Sequence, residues 1–131
     1  MEIGIDPGRN TGFAIIDGND VILQTFKLHQ AFKFVEENKD KIRRVVIENP
    51  NLWKFFKDDK AQFKKQGAGS VKRDYSAWED FLNDLGIKFV GVRPDKHRNS
   101  IAYNIDLFQR TTKYTKRCSE HARVALMLIW H

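Results

Sequence analysis

Cysteine is almost absent from this chain of 131 residues, which contains Cys118 alone. A single cysteine cannot form an internal disulfide, so a reducing compartment is its natural setting. No apolar run approaches the roughly 20 residues of a membrane span. The first residues also lack the basic-then-apolar pattern of a secretory signal. We therefore expect a cytoplasmic protein without a membrane partner.

The sequence also lacks internal repeats, low-complexity segments and any stretch typical of a linker. At this length, one domain spanning residues 1–131 is expected, with enough chain to bury a core. The 41% hydrophobic content excludes a disordered chain.

Positive charge and aromatic rings are abundant. The formal net charge is +6, and there are ten Phe, three Trp and three Tyr. This combination is typical of a nucleic-acid partner, although many basic proteins bind nothing specific.

Hydrophobic periodicity predicts alternating strands and helices. Strands are expected at residues 3–5, 13–16, 21–27, 45–47 and 87–92, and helices at 30–39, 71–85, 104–113 and 120–130. A turn is expected at residues 6–12, and basic loops are expected at residues 95–100 and 115–119. Three consecutive strands predict an antiparallel meander, and the later helical crossovers predict parallel strands. The expected fold is α/β, a mixed sheet flanked by helices.

Two segments can each be interpreted in two ways. The stripe of Tyr75, Trp78 and Leu82 is either core or part of a subunit interface, and Gly86 ends its helix. Residues 51–70 interleave aromatic residues with lysines and end in a flexible tip at 67–70. They form either an amphipathic helix on the core or a basic flap over nucleic acid.

Acidic residues follow two of the predicted strands. Asp6 ends the first strand, and Glu48 ends the strand closed by Pro50. An unpaired buried carboxylate is costly, so each needs a partner. Asp6 either caps the following turn or faces a metal ion or phosphate.

Three motifs in this order resemble the RuvC family of Holliday-junction resolvases, within the ribonuclease H-like nuclease fold. They are Gly4-Ile-Asp-Pro-Gly8 with Thr11-Gly12, Val46-Ile-Glu48, and the last-helix segment 119–128. Segments 75–81 and 92–96 are similar to segments of compact, phage-borne members of this family. The resemblance covers nearly the whole chain and implies a setting in a bacterial or phage-infected cell.

The resemblance implies a site for Mg²⁺ or Mn²⁺, with two ions per site. Two divalent ions stabilise charge on the attacking and leaving oxygens of a phosphodiester, and hard cations prefer carboxylate oxygens. Asp6 would bridge the ions and Glu48 would hold one. His121 would be a ligand or a proton-handling group. Without the resemblance, His121 is a surface histidine on a helix.

The last-helix motif departs from the family pattern. Three residues after His121 the family has Asp, whereas this chain has Val124. If the motif is instead aligned to begin at Glu120, the residue three positions later is Arg123. Glu120 is the candidate catalytic substitute, although adjacent helix residues do not share a face.

The function implied is a crossover junction endonuclease that cuts branched DNA as a homodimer, with no nucleotide cofactor. The candidate contacts to the DNA backbone are Lys54, Lys57, Lys64, Lys65, Lys72, Arg73, Lys96, Arg98, Lys116 and Arg117. One alternative is a structure-selective DNA-binding protein that has lost cleavage, which Val124 favours. Another is an actin-like ATPase, because residues 6–11 also resemble a phosphate loop.

Overall fold

A computed structural model describes residues 1–52 and 68–131. Its strands are β1 (Glu2–Asp6), β2 (Asn10–Asp17), β3 (Asp20–Lys27), β4 (Arg44–Glu48) and β5 (Phe89–Val92). Its helices are α1 (Leu28–Glu37), α2 (Ala68–Asp84), α3 (Lys96–Tyr103), α4 (Ile105–Thr112) and α5 (Glu120–Ile129). Short 3₁₀ turns lie at Lys39–Lys41 and Pro50–Leu52. The predicted flap residues 53–67 lie outside the described residues.

The five strands form one mixed sheet in the order β3-β2-β1-β4-β5. β1, β2 and β3 pair antiparallel, whereas β4 pairs parallel with both β1 and β5. This confirms the predicted meander followed by parallel crossovers. The carboxyl ends of β1, β3, β4 and β5 therefore meet at one edge of the sheet, which we call the site edge.

Alternate residues of the central strands face opposite sides of the sheet. Odd-numbered residues such as Ile3, Ile5 and Ile47 pack in one core cluster with α1 and α2. Even-numbered residues such as Ala14 and Val46 pack in a second cluster with α4 and α5. The side chains of Asp6 and Glu48 follow the even set, so their strands direct them to the side covered by α5.

The stripe on α2 is core rather than a subunit interface. Tyr75, Trp78 and Leu82 are buried against the sheet. The homodimer implied by the family resemblance would need a different surface. Gly86 ends this helix as predicted, with a positive φ of 69°. The predicted flexible tip is wrong in part, because the helix already begins at Ala68.

The predicted basic loop at residues 95–100 is also wrong, because α3 begins at Lys96. Asp95 is its N-cap, and its side chain accepts a hydrogen bond from the Arg98 backbone N–H at 3.1 Å. This helix buries only Asn99 and Ala102, which are too few residues for a recognisable apolar stripe.

None of the helices within the described residues is long and apolar enough to cross a membrane.

Candidate active site

Two neighbouring parallel strands place Asp6 and Glu48 side by side at the site edge. Gly4 pairs in register with Val46, and each carboxylate lies two residues farther along its strand. Their side chains are only 14% and 15% exposed. Ligands of open α/β sheets bind at the carboxyl ends of strands, so two largely buried acids mark the site edge as the candidate active site.

Two glycines allow α5 to lie directly on the strands beside this site. A Cβ atom on Gly4 would overlap the backbone carbonyl of Ala125, and one on Gly12 would overlap the carbonyl of His121. Gly12 is also the register partner of Asp6 on β2. The absence of side chains at these glycines therefore determines how close the first turn of α5 comes to Asp6.

This close approach pairs His121 with Asp6. His121 Nδ1 lies 2.9 Å from Asp6 Oδ2, across 115 residues of chain. The N-terminus of α5 is fixed by Ser119, whose side chain accepts a hydrogen bond from the Ala122 backbone N–H and shares another with the Thr25 hydroxyl. The positive end of the helix dipole therefore also lies at the site.

The charges of the site shift two pKa values. The hydrogen bond to Asp6 raises the pKa of His121 above its ordinary value, because the carboxylate favours the protonated ring. Burial, and then repulsion from Asp6, raises the pKa of the Glu48 carboxyl, although hydrogen bonds from Asn99 and Arg98 oppose this shift. The pair of acids is thus short of compensating positive charge.

Helix α3 supplies two partners to Glu48. Arg98 Nη2 lies 3.2 Å from Glu48 Oε2, and Asn99 Nδ2 lies 3.3 Å from the same oxygen. Arg98, a predicted DNA contact, thus pairs with a predicted catalytic acid. Asn99 is a residue of the site that the sequence does not indicate, because a basic loop is predicted at residues 95–100.

Tyr103, at the end of α3, is a further residue of the site that the sequence did not indicate. Partial burial, followed by the negative charges of Glu48, Asp6 and Glu120, raises the pKa of its hydroxyl. Tyr103 is nevertheless an exposed residue. An aromatic ring beside the acids is therefore accessible to a ligand.

Some of the candidate residues on the last helix are exposed, and others are buried. Glu120 and His121 are exposed, whereas Val124 is only 3% exposed. Arg123 is also buried, and its guanidinium donates hydrogen bonds to the backbone carbonyls of Ala102 and Cys118. Arg123 thus ties α5 to the end of α3 rather than facing a ligand.

Basic residues surround the site edge. Lys116 and Arg117 are exposed in the segment before α5, and Lys72 and Arg73 are exposed on α2. Lys96 is exposed at the start of α3. Lys54, Lys57, Lys64 and Lys65 lie outside the described residues.

A cleft at the same edge contains basic residues that the sequence did not indicate. It has a volume of about 660 Å³ and is lined by Arg9, Asn10, Lys27, Leu28, His29, Ser70 and Asp74. Lys27 reaches this edge because it pairs with Asn10 in the β2–β3 register. That register is a long-range feature, so composition alone could not identify these residues.

The donor chemistry of the site suits a hard divalent cation. Within residues 1–52 and 68–131, no group of three or more His, Cys, Asp or Glu side chains is arranged to hold a metal ion. Asp6 and Glu48 nevertheless offer carboxylate oxygens, which Mg²⁺ and Mn²⁺ prefer. Burial, and then repulsion from Asp6, raises the pKa of Glu48, and a cation between the two carboxylates would relieve the repulsion.

Comparison with known proteins shows that this chain is similar in structure to a solved protein. No protein-family model matches this sequence, and no curated protein matches it. Among solved structures, RuvC of T. thermophilus in complex with a Holliday junction substrate matches with a TM-score of 0.57 and 13% identity. The match covers 97% of this chain and 89% of that one. At this identity the likeness concerns the fold, and it confirms the predicted ribonuclease H-like α/β architecture.

Proposed function

We propose that this protein is a metal-dependent endonuclease that cuts branched DNA, such as a four-way Holliday junction, by phosphodiester hydrolysis. The observation that carries the proposal is the pair of largely buried carboxylates, Asp6 and Glu48, at adjacent strand ends with His121 bonded to Asp6. The fold shared with a junction-bound RuvC supports the same substrate class.

Asp6 and Glu48 would hold the divalent cation, Mg²⁺ or Mn²⁺. Such an ion stabilises the negative charge that develops on the phosphate oxygens during hydrolysis. The two acids contribute by fixing the ion at rigid strand ends, where their geometry changes little on binding.

His121 is suited to proton transfer. Asp6 Oδ2 accepts a hydrogen bond from His121 Nδ1, which leaves Nε2 as the ring nitrogen that could exchange a proton with a reacting group. The raised pKa of His121 increases its protonated fraction near neutral pH. Of the two roles implied by the resemblance, this contact favours proton handling over metal ligation.

The basic residues around the site edge would bind the DNA backbone. Arg9 and Lys27 join the predicted contacts because they line the cleft beside Asp74. Contacts with phosphates provide affinity and orientation without sequence readout. Tyr103, which is exposed near the acids, would stack against an unpaired base near the branch.

The test is a cleavage assay on a four-way junction with Mg²⁺ and Mn²⁺. Asp6→Asn and Glu48→Gln should each lower the rate by about a thousandfold or more, because each removes a charge that holds the ion. Junction binding should survive. Asp17→Asn, an exposed acid at the opposite edge, is the matched control. Cleavage by Asp6→Asn at the wild-type rate would show that the site is assigned wrongly.

A structure-selective DNA-binding protein without cleavage is the second candidate. Two observations favour it: Arg98 already neutralises Glu48, and Val124 is apolar and buried. The same assay decides between them. A wild-type protein that prefers a four-way junction over duplex DNA, yet cuts neither with either metal, would establish this alternative.

A further inference from the structure

Several hydrogen bonds hold Arg98 beside Glu48. Its Nη2 donates to the Arg93 backbone carbonyl at 2.9 Å and lies 3.2 Å from Glu48 Oε2. Its backbone N–H donates to the Asp95 N-cap. The side chain is only 22% exposed. A guanidinium that is held in this way is part of the site rather than a solvated surface charge.

Asn99 reinforces the same arrangement. It is a buried residue, and its Nδ2 approaches the oxygen of Glu48 that Arg98 already contacts. Glu48 Oε2 thus receives two side-chain donors from one helix turn. His121 similarly approaches one oxygen of Asp6, so each carboxylate keeps a second oxygen for an ion.

Charge balance limits how many divalent ions this site can accept. The two carboxylates and the Arg98 guanidinium together carry a formal charge of −1. One divalent ion brings the site to +1, and a second would bring it to +3. The position at which the family resemblance implies another carboxylate holds Val124, which is buried and uncharged.

We propose that Arg98 takes the place of one divalent cation, so that the site binds a single ion between Asp6 and Glu48 instead of two. This inference rests on the proposed function and specifies its metal requirement. A guanidinium is permanently protonated and binds phosphate oxygens as well as carboxylates. Arg98 therefore supplies at Glu48 a fixed positive charge that does not depend on metal concentration.

The experiment measures Mn²⁺ binding to the full chain without DNA, by titration calorimetry and by the electron paramagnetic resonance of free Mn²⁺. The wild type should bind one Mn²⁺ per chain, and Asp6→Asn should lose it. Arg98→Gln should bind the first ion about tenfold more tightly and admit a second, because an adjacent positive charge is removed. Arg98→Lys, which keeps the charge, should still bind one.

Arg93→Gln is the matched control, because it removes an exposed neighbouring charge and leaves the backbone carbonyl that Arg98 contacts. It should bind one Mn²⁺ as the wild type does. The melting temperature of each variant shows that it is folded. A structural role of Arg98 alone would lower the melting temperature of Arg98→Gln and leave its stoichiometry at one, which overturns the inference.

Two other results would also overturn it: a wild type that binds two ions, both lost in Asp6→Asn, or one that binds no Mn²⁺ at millimolar concentration. Cleavage provides a separate readout. The dependence of the rate on Mn²⁺ should be hyperbolic in the wild type and sigmoidal in Arg98→Gln. If no DNA is cut while the stoichiometry follows the expected pattern, the proposed nuclease function fails and the single-ion site stands.

Discussion

The contact between His121 and Asp6 couples the protonation of one residue to the charge of the other. A hydrogen bond to Asp6 raises the pKa of His121 in the folded protein above the ordinary value of about 6.5. Its contribution to stability is therefore fully present below the unfolded pKa, and it is lost as the pH rises through the folded pKa. Because His121 is exposed, solvent screens this contribution.

The titration of His121 tests this coupling directly. In metal-free protein, the NMR chemical shifts of its ring should give a midpoint above 6.5, because the Asp6 carboxylate stabilises the protonated ring. Asp6→Asn should lower that midpoint towards the ordinary value. Asp17→Asn, a control acid on the far edge, should leave it in place. An equal midpoint in wild type and Asp6→Asn would show that the hydrogen bond does not form.

A substitution at Val124 allows a gain in metal binding and a loss of stability to be measured in the same protein. Val124 lies one helical turn after His121 and is almost completely buried. Val124→Asp should strengthen metal binding and raise cleavage, most visibly at low Mg²⁺, because it adds a negative oxygen donor at the position where the family resemblance implies a carboxylate. It should also lower the free energy of unfolding by roughly 2–5 kcal/mol in the absence of metal.

The appropriate comparison is Val124→Asn, which adds a similar polar volume without a charge. Its melting temperature should fall as well, with no gain in metal affinity. Melting temperature and cleavage are measured against metal concentration for both variants. A folded Val124→Asp protein with an unchanged metal requirement would show that residue 124 does not face the ion.

Among the elements, α5 depends on glycine for its position. A methyl group at Gly12 would overlap the backbone carbonyl of His121, which cannot move without shifting the helix. Gly12→Ala should therefore destabilise the fold by about 1–3 kcal/mol or more. It should also displace His121 from Asp6 and lower the NMR midpoint of the ring, whereas Gly69→Ala should do neither.

Gly69 suits this comparison because an added Cβ meets no atom within 4 Å. Alanine is also the better helix former, so Gly69→Ala should be neutral or slightly stabilising. Denaturant unfolding measures both variants. A Gly12→Ala protein as stable as the wild type would contradict the close packing of α5 on β2.

Across the whole molecule, the proposed function predicts that the net charge of +6 and the basic residues of the site edge govern DNA affinity. If about six phosphates are neutralised, a plot of log affinity against log salt concentration should have a slope of roughly −5. Fluorescence anisotropy with a labelled junction measures it. A flat response would contradict binding through the DNA backbone.

The distribution of charge can be tested with two double variants. Replacing both Lys116 and Arg117 by Ala should make the slope shallower by roughly 2, because two phosphate contacts are lost. Replacing both Lys39 and Lys41 by Ala removes the same charge from the opposite edge, where the Lys41 carbonyl accepts a bond from the amino group of Met1. That variant should keep the wild-type slope.

The sequence by itself determined the features that depend on local signals. Short apolar segments predicted the strands, and Gly86 predicted the end of α2, as the structure confirms. The acids at the ends of β1 and β4 could be recognised because strand boundaries follow from turn residues and proline. The order of strands and helices predicted the mixed α/β sheet, and the ribonuclease H-like fold was implied by the resemblance of the acidic motifs.

The tertiary structure alone decided which distant residues meet. Arg98 and Glu48 are 50 residues apart, and His121 and Asp6 are 115 apart. No periodicity connects such pairs, because their contact depends on strand register and on how closely two helices approach the sheet. The same reason explains α3: it is short and presents too few apolar residues for a helical pattern, so only packing against α5 and the Asp95 cap reveal it.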